Sequence, residues 1–480
     1  MKTKQILHLL MTFGATYLLY AQTPGLNILI LSILTVISFG FLNSVKLKST
    51  KWWFAATLLL INGFSVFYLG RDYHVILFLL ALLHFVAVSH SSARTFYFLI
   101  YDTMRNTIVA LAMKFGNGIN ILFGEKNKEE VEGGNQWKWV KKSLVFIIPA
   151  LLFVLFLQLY RLSSSNFDQI SDFISFDWIS APWIALFICF YLLFYGWIWF
   201  QPDELMMRYE HKLSRKIVLG RADKLTHFLT RELEVKIAIS IVITLSLLLA
   251  FLIVSDFLLF SQSALQQNGL EFISKELHNG VYALIASIVI TVVLVSFILR
   301  GNLNFYQPKL VALAVVWLAL NIVVVATNFT KNWIYIDLGG LTYKRIGVFI
   351  YLSLTFIGLL YTLFKVTMKE KFFYIIRTTA ISFFAFLTVT FTVNWDVIIT
   401  KYNLSEKFDR DMIDYEYLIS LKSGNQHILV EKFIDGEIPN EYSETIFDFS
   451  IIDYERSKNW KSLVYSEYEK QKVIASYYKN

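Results

Sequence analysis

Apolar residues in this chain come in blocks of roughly 17–25, the length a helix needs to cross a hydrocarbon core about 30 Å thick. The blocks lie at 5–21, 26–43, 52–70, 74–90, 143–161, 181–200, 236–260, 281–299, 310–328, 346–366 and 376–393, with shorter polar stretches between them. In lipid a helix satisfies its own backbone groups, which an irregular segment cannot do. The pattern therefore predicts an all-α, polytopic membrane protein. Its bundle of about eleven transmembrane helices covers residues 1–393, and a small, mainly helical polar tail covers 394–480. The first block follows Lys2 and Lys4, as a signal peptide would. A second apolar block starts at Leu26 with no polar mature segment between, so it reads as a first span.

Three segments break the alternation. Residues 91–142 read as a cytoplasmic interfacial segment. Its apolar part, 94–113, is interrupted by Asp102, Arg105 and Asn106, so it is expected to lie in the interface. A twelfth span there would invert every later loop and spoil the charge pattern. The charged, Gly-containing stretch 125–134 reads as a linker. Residues 201–235 read as a cytoplasmic helical hairpin that starts at Pro202-Asp203 and breaks at Gly220. In the tail, Met412, Ile413, Tyr415, Leu418 and Ile419 suggest one short amphipathic helix. Trp460, Leu463, Val464, Tyr468 and Ile474 suggest another, with turns at Gly424, Gly436 and Pro439.

Charge fixes the expected orientation. Lys2, Lys4, Lys46, Lys48 and Lys51, the basic residues of 91–142 and 201–236, Arg300, Lys309 and those of 365–377 fall on one side. The outer loops hold only Arg71, Arg161, Lys275, Lys331, Lys344 and Arg345, and the remaining eleven basic residues lie in the tail, where acids outnumber them. By the positive-inside rule the N-terminus is cytoplasmic and the C-terminus extracytoplasmic, in a bacterial cytoplasmic (inner) membrane. The formal charge of +8 then belongs to loops facing anionic headgroups, and nucleic acid is not an expected partner. The chain is 56% hydrophobic and only 17% charged, against about a quarter charged in soluble domains. Its one cysteine, Cys189, lies in a hydrophobic block and excludes an intrachain disulfide or a cysteine-based cluster.

The motif search is negative. There is no phosphate loop, nucleophile elbow or H-E-x-x-H, so no catalytic, cofactor-binding or metal-binding residue is expected. Polar residues inside spans are few: Asn62, His84, Gln158, Asn321 and, near the outer end of its span, Asp256. Such residues mark either helix–helix hydrogen bonds or function. The richest polar stretches flank the last two spans. Thr342 and Arg345 precede one; Asn394, Asp396, Tyr402 and Asn403 follow the other. These ends are expected to be neighbours at the outer face, with Arg345 and Asp396 as an interfacial ion pair.

Those residues also carry a resemblance. Gly340-Leu341-Thr342 with Arg345, then Asn394, Asp396, Ile399, Tyr402 and Asn403, resemble a bacterial family of multi-pass membrane proteins. That family is known as domain of unknown function four-one-seven-three, with a sister group four-one-five-three. Asp414 through Leu421 and Trp460-Lys461-Ser462 are similar to its tail. The family usually has an aromatic residue before Gly-Leu-Thr and a proline between the Asn and Asp; here Gly339 and Trp395 stand there. The resemblance covers chiefly the last 150 residues and implies a fold but no activity. Three readings remain open: a non-enzymatic membrane scaffold or regulatory component with a protein partner, a transporter or permease, and an enzyme acting on a lipid-linked substrate. For the last, Asp72 after Arg71 is the early candidate.

Overall fold

In the computed structural model, residues 2–108, 181–213, 231–261, 283–300, 304, 307–410, 413–421, 424–446 and 459–477 are described. Helices α1 (Lys2–Leu19), α2 (Leu26–Leu42), α3 (Thr50–Leu69) and α4 (Asp72–His90) open the chain. Helix α5 covers 96–108. Then come α6 (Ala181–Ile198), α7 (Glu204–Leu213), α8 (Arg231–Ser261) and α9 (Ala283–Ile298). Next are α10 (Pro308–Gly339), α11 (Tyr343–Thr367) and α12 (Phe372–Thr392). The tail carries α13 (Trp395–Asn403), α14 (Tyr415–Ser420), α15 (Gln426–Ile434) and, after the short helix Ser443–Ile446, α16 (Tyr465–Tyr477). Among the described residues there is no strand.

Among the described residues, six helices are long and apolar enough to cross a bilayer: α3, α4, α8, α10, α11 and α12. α2, α6 and α9 are apolar but shorter. The protein is an all-α helical membrane protein. The expected span at 143–161, the linker at 125–134, Gln158 and the second half of the 201–235 hairpin lie outside the described residues. α8 shows why lipid is the solvent. Phe251 and Phe257 are 71% and 72% exposed, and Leu247 and Leu248 are exposed beside them. A continuous apolar surface of this kind is a liability in water and ordinary in a bilayer.

The helices form two compact units. One comprises Met1–Gln22, Ile37–Leu42 and Thr103–Gln201. In it α1 packs on α6: His8 Nε2 lies 2.7 Å from the Tyr191 carbonyl oxygen, and the Phe13 and Phe187 rings meet at 4.7 Å. Arg105 Nη2 and Asn106 Nδ2 both donate to the Gln201 carbonyl.

The other unit comprises Thr23–Val36, Asn43–Asp102 and Pro202–Asn480. Here α3 packs on α4 and α12, and α10 on α8 and α11. Hydroxyls, amides and carbonyls join α12 to its neighbours. Asn62 Nδ2 donates to Thr388 Oγ1 at 3.1 Å, the Ser65 and Thr392 hydroxyls are 2.8 Å apart, and His74 Nε2 is 2.8 Å from the Phe391 carbonyl oxygen. Interhelical hydrogen bonds of this kind substitute for the hydrophobic drive that lipid removes.

The long axis of α3, about 30 Å at 1.5 Å per residue, separates two polar ends. At its start, Trp52 Nε1 donates to Ser89 Oγ and Lys46 Nζ to the Ser91 carbonyl. Alongside, α7 docks through Glu210, whose buried carboxylate accepts from Arg94 N and Thr95 Oγ1 at the head of α5. α7 begins where Pro202-Asp203 predicts, with Asp203 accepting from Met206 N. At the far end of α3, the tail returns: Leu26 N donates to the Leu463 carbonyl and Thr23 N to Ser462 Oγ.

α10 departs from expectation. The apolar run ends near residue 328, yet the helix continues to Gly339. Its polar continuation is held from elsewhere. Lys331 Nζ pairs with Asp256 at 3.0 Å, and Asn332 Nδ2 donates to the Arg345 carbonyl. Lys331, expected in a loop, therefore lies buried within a helix.

Candidate functional site

The tail does not hang free. Ile399, Tyr415, Leu418, Ile419, Leu429, Val430, Ile438 and Ile446 share one apolar core with Ile336, Leu341 and Ile346 of the bundle. Three side-chain caps start its helices and α11. Thr342 accepts from Arg345 N, Asn394 from Val397 N, and Asp414 from Tyr417 N. Such caps contribute roughly 0.5–2 kcal/mol each.

At the centre of this capped end lies Asp396, 1% exposed, in the first turn of α13, where the helix dipole favours a carboxylate. Its Oδ2 accepts from Arg71 Nη2, and its Oδ1 accepts from the Tyr343 hydroxyl at 2.5 Å. Arg71 Nη1 donates to the Tyr343 hydroxyl at 3.0 Å, which closes a three-membered ring of interactions. Arg71 caps the turn between α3 and α4, Tyr343 opens α11, and Asp396 opens α13. Burial works against the Arg71 charge, but the Asp396 carboxylate and the Tyr343 hydroxyl outweigh it and raise its pKa above the ordinary arginine value.

Backbone geometry fits around this ring. A Cβ on Gly424 would sit 2.6 Å from Asp396 Oδ2 and 2.9 Å from Asn394 Oδ1, so only glycine passes there. Tyr343 N donates to the Tyr417 hydroxyl at 2.8 Å, and burial raises the Tyr417 pKa. Asn403 binds the Leu341 backbone twice, accepting from its N–H at 2.6 Å and donating to its carbonyl at 2.9 Å. Gly340 makes that approach possible at φ +80°, since a side chain there would strike Asn403 Oδ1. Asn425 Nδ2 donates to Thr400 Oγ1 and the Leu418 carbonyl.

This polar ring falls inside the stretch 28–431, which matches a family model described as a domain of unknown function, DUF4153. The chain belongs to the DUF4153 family. That is the sister group of the two the sequence resembles. No curated protein and no solved structure matches the chain.

The DUF4153 segment corrects one expected pair. Asp396 meets Arg71, not Arg345. The Arg345 guanidinium instead donates to the Gly339 and Gly340 carbonyls and lies over the Tyr335 ring, 3.9 Å from its centroid. It thus closes the turn between α10 and α11 by donating to the carbonyls that the end of α10 leaves unpaired. Of the residues singled out in the sequence, Asn394, Asp396 and Asn403 converge with Thr342 on this turn. Tyr402 sits at its edge, donating to Asp337 Oδ1 at 3.4 Å beside Lys407, which pairs with the same carboxylate.

The sequence does not mark Arg71, Tyr343, Tyr417, Gly424 or Asn425 as parts of this site, although Arg71 stands out as an outer-loop cation and Gly424 as a turn. The signal for Arg71 was present: a lone arginine in a tight turn between two spans, on the same expected side as Asp396. The intramembrane residues stay apart from this site. Asn62 bridges to Thr388, Asn321 Nδ2 donates to the Trp317 carbonyl in its own helix, and His84 is buried against Phe96. Asp256 pairs with Lys331. Asp72 is exposed in the first turn of α4. Among the described residues, no group of three or more His, Cys, Asp or Glu side chains is placed to hold a metal ion.

Proposed function

We propose that the chain is a non-enzymatic scaffold or regulatory component of a bacterial cytoplasmic membrane, which presents its tail as a fixed helical cap to a protein partner at the outer face. One observation carries this reading: the buried Asp396 carboxylate is spent on holding the cap to two membrane helices, through Arg71 and Tyr343. A carboxylate engaged by a guanidinium and a hydroxyl is a strut, unlike the partly free acid that proton transfer or nucleophilic attack needs. The charge at the two ends of α3 supports this orientation. Lys46, Lys48, Lys51, Arg94, Arg208 and Lys212 gather towards its start, the end that anionic cytoplasmic headgroups favour. At the other end Arg71 and Lys407 are matched by Asp396 and Asp337.

A transporter is the second reading, and the Asp256–Lys331 pair favours it. Both side chains are largely buried within membrane helices, where ionisable groups often serve a pathway. Affinity purification of the full chain and of Asp396→Asn from native membranes, followed by mass spectrometry, separates the two. The scaffold reading expects a protein partner that the wild type retains and Asp396→Asn loses. A co-purifying small solute with no protein partner overturns it in favour of transport.

A further inference from the structure

Beneath the cap, a cavity of about 350 Å³ opens to the surface between α10, α11, α12 and α13. Its walls include Trp333, Ile336, Ile346, Phe349, Phe386 and Trp395. Of the polar wall groups, Thr390 Oγ1 donates to the Phe386 carbonyl, Trp395 Nε1 to the Thr390 carbonyl and the Tyr402 hydroxyl to Asp337, and the Ser353 hydroxyl adds one small polar group to an otherwise apolar wall. Space walled in this way offers a water molecule too few partners and takes up apolar groups instead. Its size matches small-molecule sites of roughly 300–1,000 Å³, and its volume is well below what even a short helix about 10–12 Å across would fill. An unbranched hydrocarbon chain fits those limits.

The mouth says which molecule carries that chain. Trp333 is 58% exposed, and Trp395 and Tyr402 stand close by, the aromatic residues that collect at headgroup depth. Tyr402 lines the cavity and also reaches Asp337, which pairs with Lys407. Both members of that pair are about half exposed, at 44% and 43%. An ammonium beside a carboxylate is complementary to a headgroup with a phosphodiester followed by an amine: the phosphate accepts from Lys407 and the amine donates to Asp337.

We propose that this cavity is a binding site for one acyl chain of a membrane phospholipid, with its amine-bearing headgroup seated on Asp337 and Lys407. The site is independent of the scaffold reading. It couples the cap to the bilayer, because Trp395 and Tyr402 belong to α13 while the other walls are membrane helices.

The test uses the full chain in vesicles containing phosphatidylethanolamine with a diazirine at the end of one acyl chain. Irradiation is expected to place adducts on Phe349 or Phe386, inside the cavity. Adducts confined to lipid-facing residues such as Phe251 and Phe257 would overturn the proposal. Two cavity-filling variants, Ile350→Trp and Ser353→Phe, supply the second arm. After exhaustive detergent exchange, the wild type should retain phospholipid, and whichever variants keep the wild-type melting temperature should lose it. Equal retention by a folded variant, or recovery of a free fatty acid in place of phospholipid, would contradict the assignment.

Discussion

Replacing Asp396 with Asn removes one charge from a site that is 1% exposed and leaves Arg71, 24% exposed, facing an amide. Breaking a buried pair by deleting one partner costs about 3–5 kcal/mol. Because Arg71 keeps some access to water, the lower end applies, about 3 kcal/mol. Arg71→Met is worse, since it strands a carboxylate that water barely reaches, and about 5 kcal/mol is expected. The pair is one unit and the double variant leaves no unpaired charge, so it should cost less than the worse single and far less than the sum of roughly 8 kcal/mol. The loss falls on the attachment of the cap, and native-state hydrogen exchange of the α13 and α15 amides reads it directly. At about 1.36 kcal/mol per decade, 3 kcal/mol is an acceleration of roughly 150-fold. Exchange at wild-type rates in Asp396→Asn, or additive losses in the double variant, would refute the clamp.

Two further substitutions test neighbouring parts of the account. Gly424→Ala should destabilise the cap by about 1–3 kcal/mol, because its Cβ would lie 2.6 Å from Asp396 Oδ2. Gly347→Ala, with nothing within 4 Å of its Cβ and helix on both sides, should be neutral or stabilising by up to about 1 kcal/mol. Thermal unfolding in detergent measures both. Within the membrane helices, Asp256→Asn and Lys331→Met should each lower the melting temperature, and the double variant should recover part of the loss, since it leaves no unpaired charge. A double variant less stable than either single would contradict the pair.

The sequence predicts the long apolar helices well because a span needs nothing but its own residues: enough length, and no backbone group left unpaired. It predicts their ends less well. α10 outruns its apolar stretch because Lys331 and Asn332 find partners in Asp256 and the Arg345 backbone, which no local pattern announces. Thr342, Asn394 and Asp414 stand out in the sequence only as polar or motif positions; that each caps the helix it precedes emerges from the structure. The ion pair was not legible either. Asp396 had three outer-loop arginines on its expected side, Arg71, Arg161 and Arg345, and the nearest of these in sequence, Arg345, is drawn to the open carbonyls of the α10–α11 turn. Its actual partner lies 325 positions away. Gly424 shows the same limit from the other direction, since its lack of a side chain matters only once Asp396 is in place.

Orientation is where the whole functional account is most exposed to test. In a Cys189→Ser background, cysteines placed at Ser476 and at Lys212 report on the cap and on the basic end. With any outer membrane permeabilised, an impermeant thiol reagent should label the Ser476 position in otherwise intact cells and reach the Lys212 position only after lysis. Labelling of the Lys212 position first, with the Ser476 position silent until lysis, would contradict it.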